Sequence, residues 1–236
     1  PCASVDFNAE LRSYSAALAA LRADQRVDPA QIFVFGHSIG SIGAPSVGQE
    51  HGAAGVIIAQ GLGRTWFEYE LINTRRQMEL VGATPEQVDA TMIAKAECSA
   101  RVLLQGEPAQ TVFSERPECA SLVVMPASQA YMEQLNQINI AGLWTALEAP
   151  SLLIYGDSDF VTDLADHQRL EAIINARRPG HATLAVIEDL DHYLVRTESQ
   201  ASSLARVQSS QPQAPLDPRF SATIGDWICA RASCRS

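Results

Sequence analysis

The chain has 236 residues, a formal net charge of −10, 47% hydrophobic residues and 19% charged ones. That length can bury one good core, or one core plus a small appended unit. The acidic balance offers no basic stripe for a nucleic-acid partner, and no apolar run approaches the ~20 residues of a membrane span. The five cysteines are Cys2, Cys98, Cys119, Cys229 and Cys234; none forms a C-x-x-C pair. The five histidines complete no zinc pattern, so neither a metal nor a cofactor is expected. Cys98 with Cys119, and Cys229 with Cys234, suit disulfides in an oxidising compartment and leave Cys2 over; the alternative is five reduced thiols. Pairing would favour a periplasmic or secreted location, and the sequence alone leaves the compartment open.

In chain order, Phe7 to Ala23 carries apolar residues at Phe7, Leu11, Tyr14, Leu18 and Leu21. Their spacing predicts an amphipathic helix with Asn8 as its N-cap, ending before Asp28-Pro29. Ile32 to Phe35 reads as a strand buried on both faces. It runs into Gly36-His37-Ser38-Ile39-Gly40, a G-x-S-x-G pentad followed by the small residues Ser41, Gly43 and Ala44. A serine on so tight a strand-to-helix turn needs small neighbours on both sides, because its backbone is strained and its Oγ must stand clear. The helix start also aims N–H groups beside the serine, favouring an oxyanion. The second buried strand spans residues 55–60.

From Arg64 the pattern turns helical. Trp66 to Val81 has helical period, and Thr84-Pro85-Glu86-Gln87 opens a helix that continues to about Leu104. Gln105 to Met125 reads as a looser stretch, and Ser128 to Leu147 as helical again. Residues 150–155 form a third strand, ending in Gly156-Asp157-Ser158-Asp159. A helix with a polar face follows over 163–174. The fourth strand, 182–187, ends in Glu188-Asp189-Leu190-Asp191-His192. Thr197 to Pro218, rich in Ser, Gln and Pro, reads as a mobile loop. Phe220 to Ala232 closes the chain as a packing helix with Ile224, Trp227 and Ile228 on one face.

The pentad between a buried strand and a small-residue helix resembles the nucleophile elbow of the α/β-hydrolase superfamily. The resemblance implies an α/β fold, a mainly parallel sheet flanked by helices. Residues 1–63 and 150–236 would be the core, and 64–149 a helical cap or lid, with a long helical crossover as the alternative. It also implies a Ser-acid-His order at the C-terminal ends of successive strands, supplied here by Ser38, the Gly156–Asp159 turn and His192. A serine hydroxyl needs an imidazole to take its proton, and the imidazole needs a carboxylate to hold its tautomer. The family usually places the acid three residues after the strand-ending glycine, which selects Asp159 over Asp157. Asp157 is then expected to bond its own backbone. Asp189 and Asp191 would raise the basicity of His192 if close. His37 is expected to pack rather than react, and His51, His167 and His181 to lie at the surface. The Ile39 N–H is one oxyanion donor. The second belongs to a loop after an early strand that this chain does not contain, so the resemblance implies the C-terminal part of a longer or processed protein. Its first strand would then have an unpaired edge open to self-association.

The function these features imply is a serine hydrolase, carboxylesterase-like, acting through an acyl-enzyme on a small-molecule or peptide-like acyl substrate. The chain looks closest to prolyl-oligopeptidase-like and dienelactone-hydrolase-like members, so a serine peptidase is the nearest alternative. A non-catalytic binding protein on the same scaffold is another.

Overall fold

Four short runs of β-branched and other apolar residues, each separated from the next by helices, form the strands. They are β1 (Phe33–His37), β2 (Gly55–Ala59), β3 (Ser151–Gly156) and β4 (Ala182–Ile187). The computed structural model describes residues 5–209 and 214–232. Cys2 and Cys234 lie outside them, and with Cys234 the expected Cys229–Cys234 pairing.

All three pairings are parallel, in the order β1-β2-β3-β4, with Val34 opposite Val56, Ile58 opposite Leu153 and Ile154 opposite Ala185. The expected α/β fold is therefore what the chain adopts. A parallel register needs long crossovers, and these place helices on both faces. Helix α2 (Gly40–His51) comes so close to the sheet that a Cβ on Gly48 would lie 2.7 Å from the Val56 side chain. The last helix, Pro218–Cys229, sets Trp227 over the neighbouring residue, where a Cβ on Gly55 would lie 2.7 Å from its ring. Successive strand residues point to opposite faces, so the two helices cover opposite sides of β2. The core on the Trp227 side gathers Ile57, Leu152, Ile154, Ile187 and Phe220, with Ile224 and Ile228 packed at its margin. That is the helix face the apolar spacing predicts.

Strands β2 and β3 are buried throughout, but β1 is not. Phe35 is 48% exposed, which corrects the expectation of burial on both faces. Among the described residues β1 pairs with β2 alone, so it is an edge strand and its apolar side chains are only partly covered.

Contacts divide the chain into two compact units. One gathers Arg64–Asn139 with the start of the chain through Ser13, and the other holds Tyr14–Gly63 and everything from Ile140 onward. Helix α1 (Phe7–Ala23) contributes its first turns to the former and the rest to the latter. Its cap is Asp6 rather than Asn8: the Asp6 carboxylate accepts the Ala9 N–H at 2.6 Å.

In the first unit, α3 (Trp66–Leu80) and α4 (Pro85–Ser99) each begin with a capping box, built on Thr65 with Glu68 and on Thr84 with Gln87. A π-helical turn, Ala100–Leu104, extends α4. The stretch read as loose holds two short helices, α5 (Ala109–Glu115) and α6 (Cys119–Leu122). Tertiary bonds order it: a Cys98–Cys119 disulfide joins α4 to α6, and Arg101 pairs with Glu107 and Glu115 at 2.5 and 2.6 Å. The buried Lys95 donates to Glu70 at 2.8 Å and to the Leu122 carbonyl at 2.6 Å, linking α3, α4 and α6. The helical stretch expected over 128–147 holds two helices, α7 (Gln129–Asn136) and α8 (Ile140–Ala146), and the boundary between the units falls between them.

In the second unit, Asp163 caps α9 (Leu164–Arg177), which packs on β3 and β4. Much of the expected loop over 197–218 is helical: α10 (Gln200–Gln208) starts where the Ser199 hydroxyl accepts the Ser202 N–H at 3.1 Å. Its Ser203 and Leu204 are buried. The closing helix becomes α11.

Candidate active site

Ser38 stands one residue past β1, with a φ of 55° in the left-handed region that L-residues avoid. Its N–H still continues the ladder, donating to the Ala59 carbonyl at 3.0 Å. The turn is tight enough that a Cβ on Gly36 would lie 2.3 Å from the Gly40 carbonyl oxygen. Gly40 itself has open space around it, so only the first glycine of the pentad is sterically required. Ile39 is the N-cap residue of α2, and no side chain caps that helix start. Its N–H therefore belongs to the group of helix-opening amides that favour negative charge.

Asp159 and His192 come together. The fully buried Asp159 carboxylate accepts the His192 Nδ1–H at 3.0 Å. It also accepts the N–H groups of Val161 and Thr162 at 2.6 and 3.0 Å and the Thr162 hydroxyl at 2.5 Å. Donors on several sides hold it in one orientation. A proton on Nδ1 leaves Nε2 as the imidazole's acceptor. His37 does more than pack: its Nε2–H donates to the His192 carbonyl at 2.8 Å, and the two rings lie 5.0 Å apart. Burial first, and the nearby His192 second, hold the His37 imidazole below its ordinary pKa. Since His37 immediately precedes Ser38, this bond ties the serine turn to the histidine turn.

The other aspartates differ from expectation. Asp157 does not close on its own backbone; its carboxylate accepts the Asp189 N–H at 2.7 Å, across the gap between the β3 and β4 turns. Asp191 is buried and turned toward α10, where it pairs with Arg206 and accepts the Ser203 hydroxyl at 2.9 Å. Asp189 pairs with Arg196 at 3.1 Å. Asp189 and Asp191 are thus committed to arginines, and Asp159 is the carboxylate bonded to the His192 ring.

His167 also departs from the surface placement. It is fully buried on α9, its Nδ1–H donates to the Asp163 carbonyl at 2.8 Å and its Nε2 accepts the Gly61 N–H at 2.9 Å. Burial lowers its pKa. His51, partly buried, bonds the Ser15 hydroxyl at 2.7 Å within the same unit. His181 sits, partly exposed, in the turn before β4.

Gln60 was not singled out by its sequence. It is buried at the end of β2 with a φ of 51°, and its side-chain amide bonds both the β3 turn and the β4 turn. The only local hint is a polar residue ending an otherwise apolar strand. Among the described residues no group of three or more His, Cys, Asp or Glu is placed to hold a metal ion, and no helix is long and apolar enough to cross a membrane.

A parallel sheet with Ser38 at a left-handed φ just past one strand end, and Asp159 and His192 bonded past the ends of two others, defines a protein of the α/β class. The alpha/beta hydrolase family model matches residues 3–207, and the chain belongs to that family. The match supports the superfamily and not the narrower likeness to prolyl-oligopeptidase-like members. Among solved structures, a monoacylglycerol lipase of Paleococcus ferrophilus is similar at 15% identity and a TM-score of 0.51, over 97% of this chain and 77% of that one. An esterase from Rhodococcus sp. ECU1013 aligns at 14% identity and a TM-score of 0.47, over 94% and 74%. At 15% identity the likeness to the lipase concerns the fold alone. No curated protein matches the chain.

Proposed function

We propose that this chain is a serine hydrolase that cleaves an ester through an acyl-enzyme on Ser38. The observation that carries the reading is the 3.0 Å bond from His192 Nδ1 to the buried Asp159 carboxylate, at the end of the strand next to the one that precedes His192. In this mechanism His192 Nε2 takes the Ser38 hydroxyl proton as Oγ attacks the ester carbonyl carbon. Asp159 holds the tautomer and stabilises the imidazolium that forms. The carbonyl oxygen becomes an oxyanion facing the Ile39 N–H, and His192 returns the proton to the departing alcohol. Water, deprotonated by the same nitrogen, then releases the acid. With a formal net charge of −10 and no basic stripe, the chain suits a small, mostly uncharged acyl group.

The test is labelling with a fluorophosphonate probe together with p-nitrophenyl acetate hydrolysis. Ser38→Ala is expected to abolish both while leaving the circular dichroism spectrum unchanged. Full activity in that variant would remove Ser38 as the nucleophile. A folded wild-type chain that neither labels nor turns over ester would be a binding protein on this scaffold.

A further inference from the structure

The amide of Gln60 bridges the turn that carries Asp159 and the turn that carries His192. Its Nε2–H donates to the Asp191 carbonyl at 2.8 Å, and its Oε1 accepts the Gly156 N–H at 3.1 Å. Each contact admits one orientation only, since a carbonyl cannot donate and an N–H cannot accept, so the amide has a single correct setting. Asp191 is the residue before His192, and Gly156 is the residue that opens the Asp159 turn. Gln60 is fully buried, and its own N–H donates to the Ile154 carbonyl at 3.0 Å. Its φ of 51° is a conformation that glycine adopts freely and glutamine does not, yet the chain keeps a glutamine there. The surroundings are equally constrained. A Cβ on Gly156 would lie 2.2 Å from the Leu190 carbonyl oxygen and 2.6 Å from Gln60 Nε2, so the two turns meet with the glutamine amide between them.

We infer that Gln60 is a positioning residue for the reaction: it sets the separation and angle of Asp159 and His192 through the main chain of both turns, without touching either ring or carboxylate. The inference deepens the hydrolase reading and rests on it. Two further bonds span the same gap, from the Ser158 N–H to the Leu190 carbonyl at 3.1 Å and from the Asp189 N–H to the Asp157 carboxylate at 2.7 Å. These hold the turns together. Only Gln60 also anchors both to the end of β2, beside the strand that carries Ser38.

Gln60→Met removes both bonds at similar volume. Gln60→Glu keeps the acceptor for Gly156 and, when ionised, sets a carboxylate oxygen against the Asp191 carbonyl. Gln60→Met at any pH, and Gln60→Glu where its carboxyl is ionised, are expected to lower kcat on p-nitrophenyl acetate about 100-fold, the scale of a misplaced catalytic group, with KM little changed. Unfolded protein would also lower the apparent kcat at unchanged KM, so the rate is expressed per folded molecule, measured by circular dichroism. In Gln60→Glu the ratio of variant to wild-type kcat should rise as pH falls, because the protonated carboxyl again donates to Asp191 and burial favours that form. The low-field proton resonance of His192 Nδ1–H should shift in both variants. Should the methionine variant fail to fold, the isosteric glutamate variant carries the test at high pH, where its carboxyl is ionised. If the wild type labels with fluorophosphonate and the variants fold with wild-type kcat and an unshifted resonance, the inference is overturned. If the wild type is inert, the hydrolase reading falls, and the resonance alone decides whether Gln60 sets the Asp159–His192 geometry.

Discussion

Asp157 and Asp159 sit two residues apart in one turn and do different work. Asp157 accepts a main-chain N–H, a task an asparagine carbonyl performs as well. Asp159 accepts the imidazole Nδ1–H while its other contacts are donors, so an asparagine there presents the wrong tautomer preference to His192. Asp159→Asn is therefore expected to cost about 10⁴ in kcat, as a triad carboxylate does, and Asp157→Asn much less, in an ester assay at saturating substrate. A large loss at 157 with little at 159 would reassign the acid. The buried His167 makes a separate prediction. Its Nε2 accepts an N–H, so the folded state holds it neutral and its pKa lies below the ordinary 6.5. The unfolded chain binds this proton near pH 6.5 and the folded chain does not. The contribution to stability is thus complete above about pH 6.5 and falls as pH drops from there through the folded pKa, by up to about 1.4 kcal/mol per pH unit. His37, also depressed, acts in the same direction. Urea unfolding at pH 7.5 and 5.5 should give lower stability at the acid end, with a smaller difference in His167→Gln; an equal pH dependence in both proteins would contradict it.

The elements were legible in proportion to how local their signals are. Strand β4 and helices α3, α4 and α9 lie where apolar runs, capping residues and Pro85 place them, because each signal acts within one turn of the chain. Helix α10 was not legible. Its Ser, Gln and Arg residues suggest a loop, and it is ordered by Ser203 and Arg206 meeting the buried Asp191, a contact no local pattern encodes. Helices α5 and α6 are ordered in the same way by bonds to α4. The Cys98–Cys119 disulfide closes a loop over a sequence separation of 21 between fully buried cysteines. A loop of that length contributes about 3 kcal/mol in the chain-entropy account. Replacing both cysteines by alanine should lower the stability of the unit holding Trp66 by roughly that amount, read by tryptophan fluorescence in urea. An unchanged midpoint would show that the Lys95–Glu70 pair and the apolar packing suffice without it.

At the scale of the molecule, the described residues leave β1 as an edge whose far side has no strand partner. An edge strand presents a row of N–H and C=O groups, and Phe35 adds exposed apolar surface to it. The chain is expected to self-associate through this edge. Light scattering should give a mass that rises with concentration, and Phe35→Lys should reduce that rise. A monomer at every concentration would mean that the edge is protected in solution.

The sequence by itself determined the fold class, the strand-turn-helix around Ser38 and the order serine, acid, histidine along the chain. These rest on periodicity, chain direction and the steric demands of a tight turn, all of which are local. Tertiary structure alone decided that Asp191 belongs to Arg206, that His167 is buried and that Gln60 joins two turns. Each of those is a distance between residues far apart in the chain. Such distances are set by the register of a parallel sheet, and register is the outcome of packing the whole core at once.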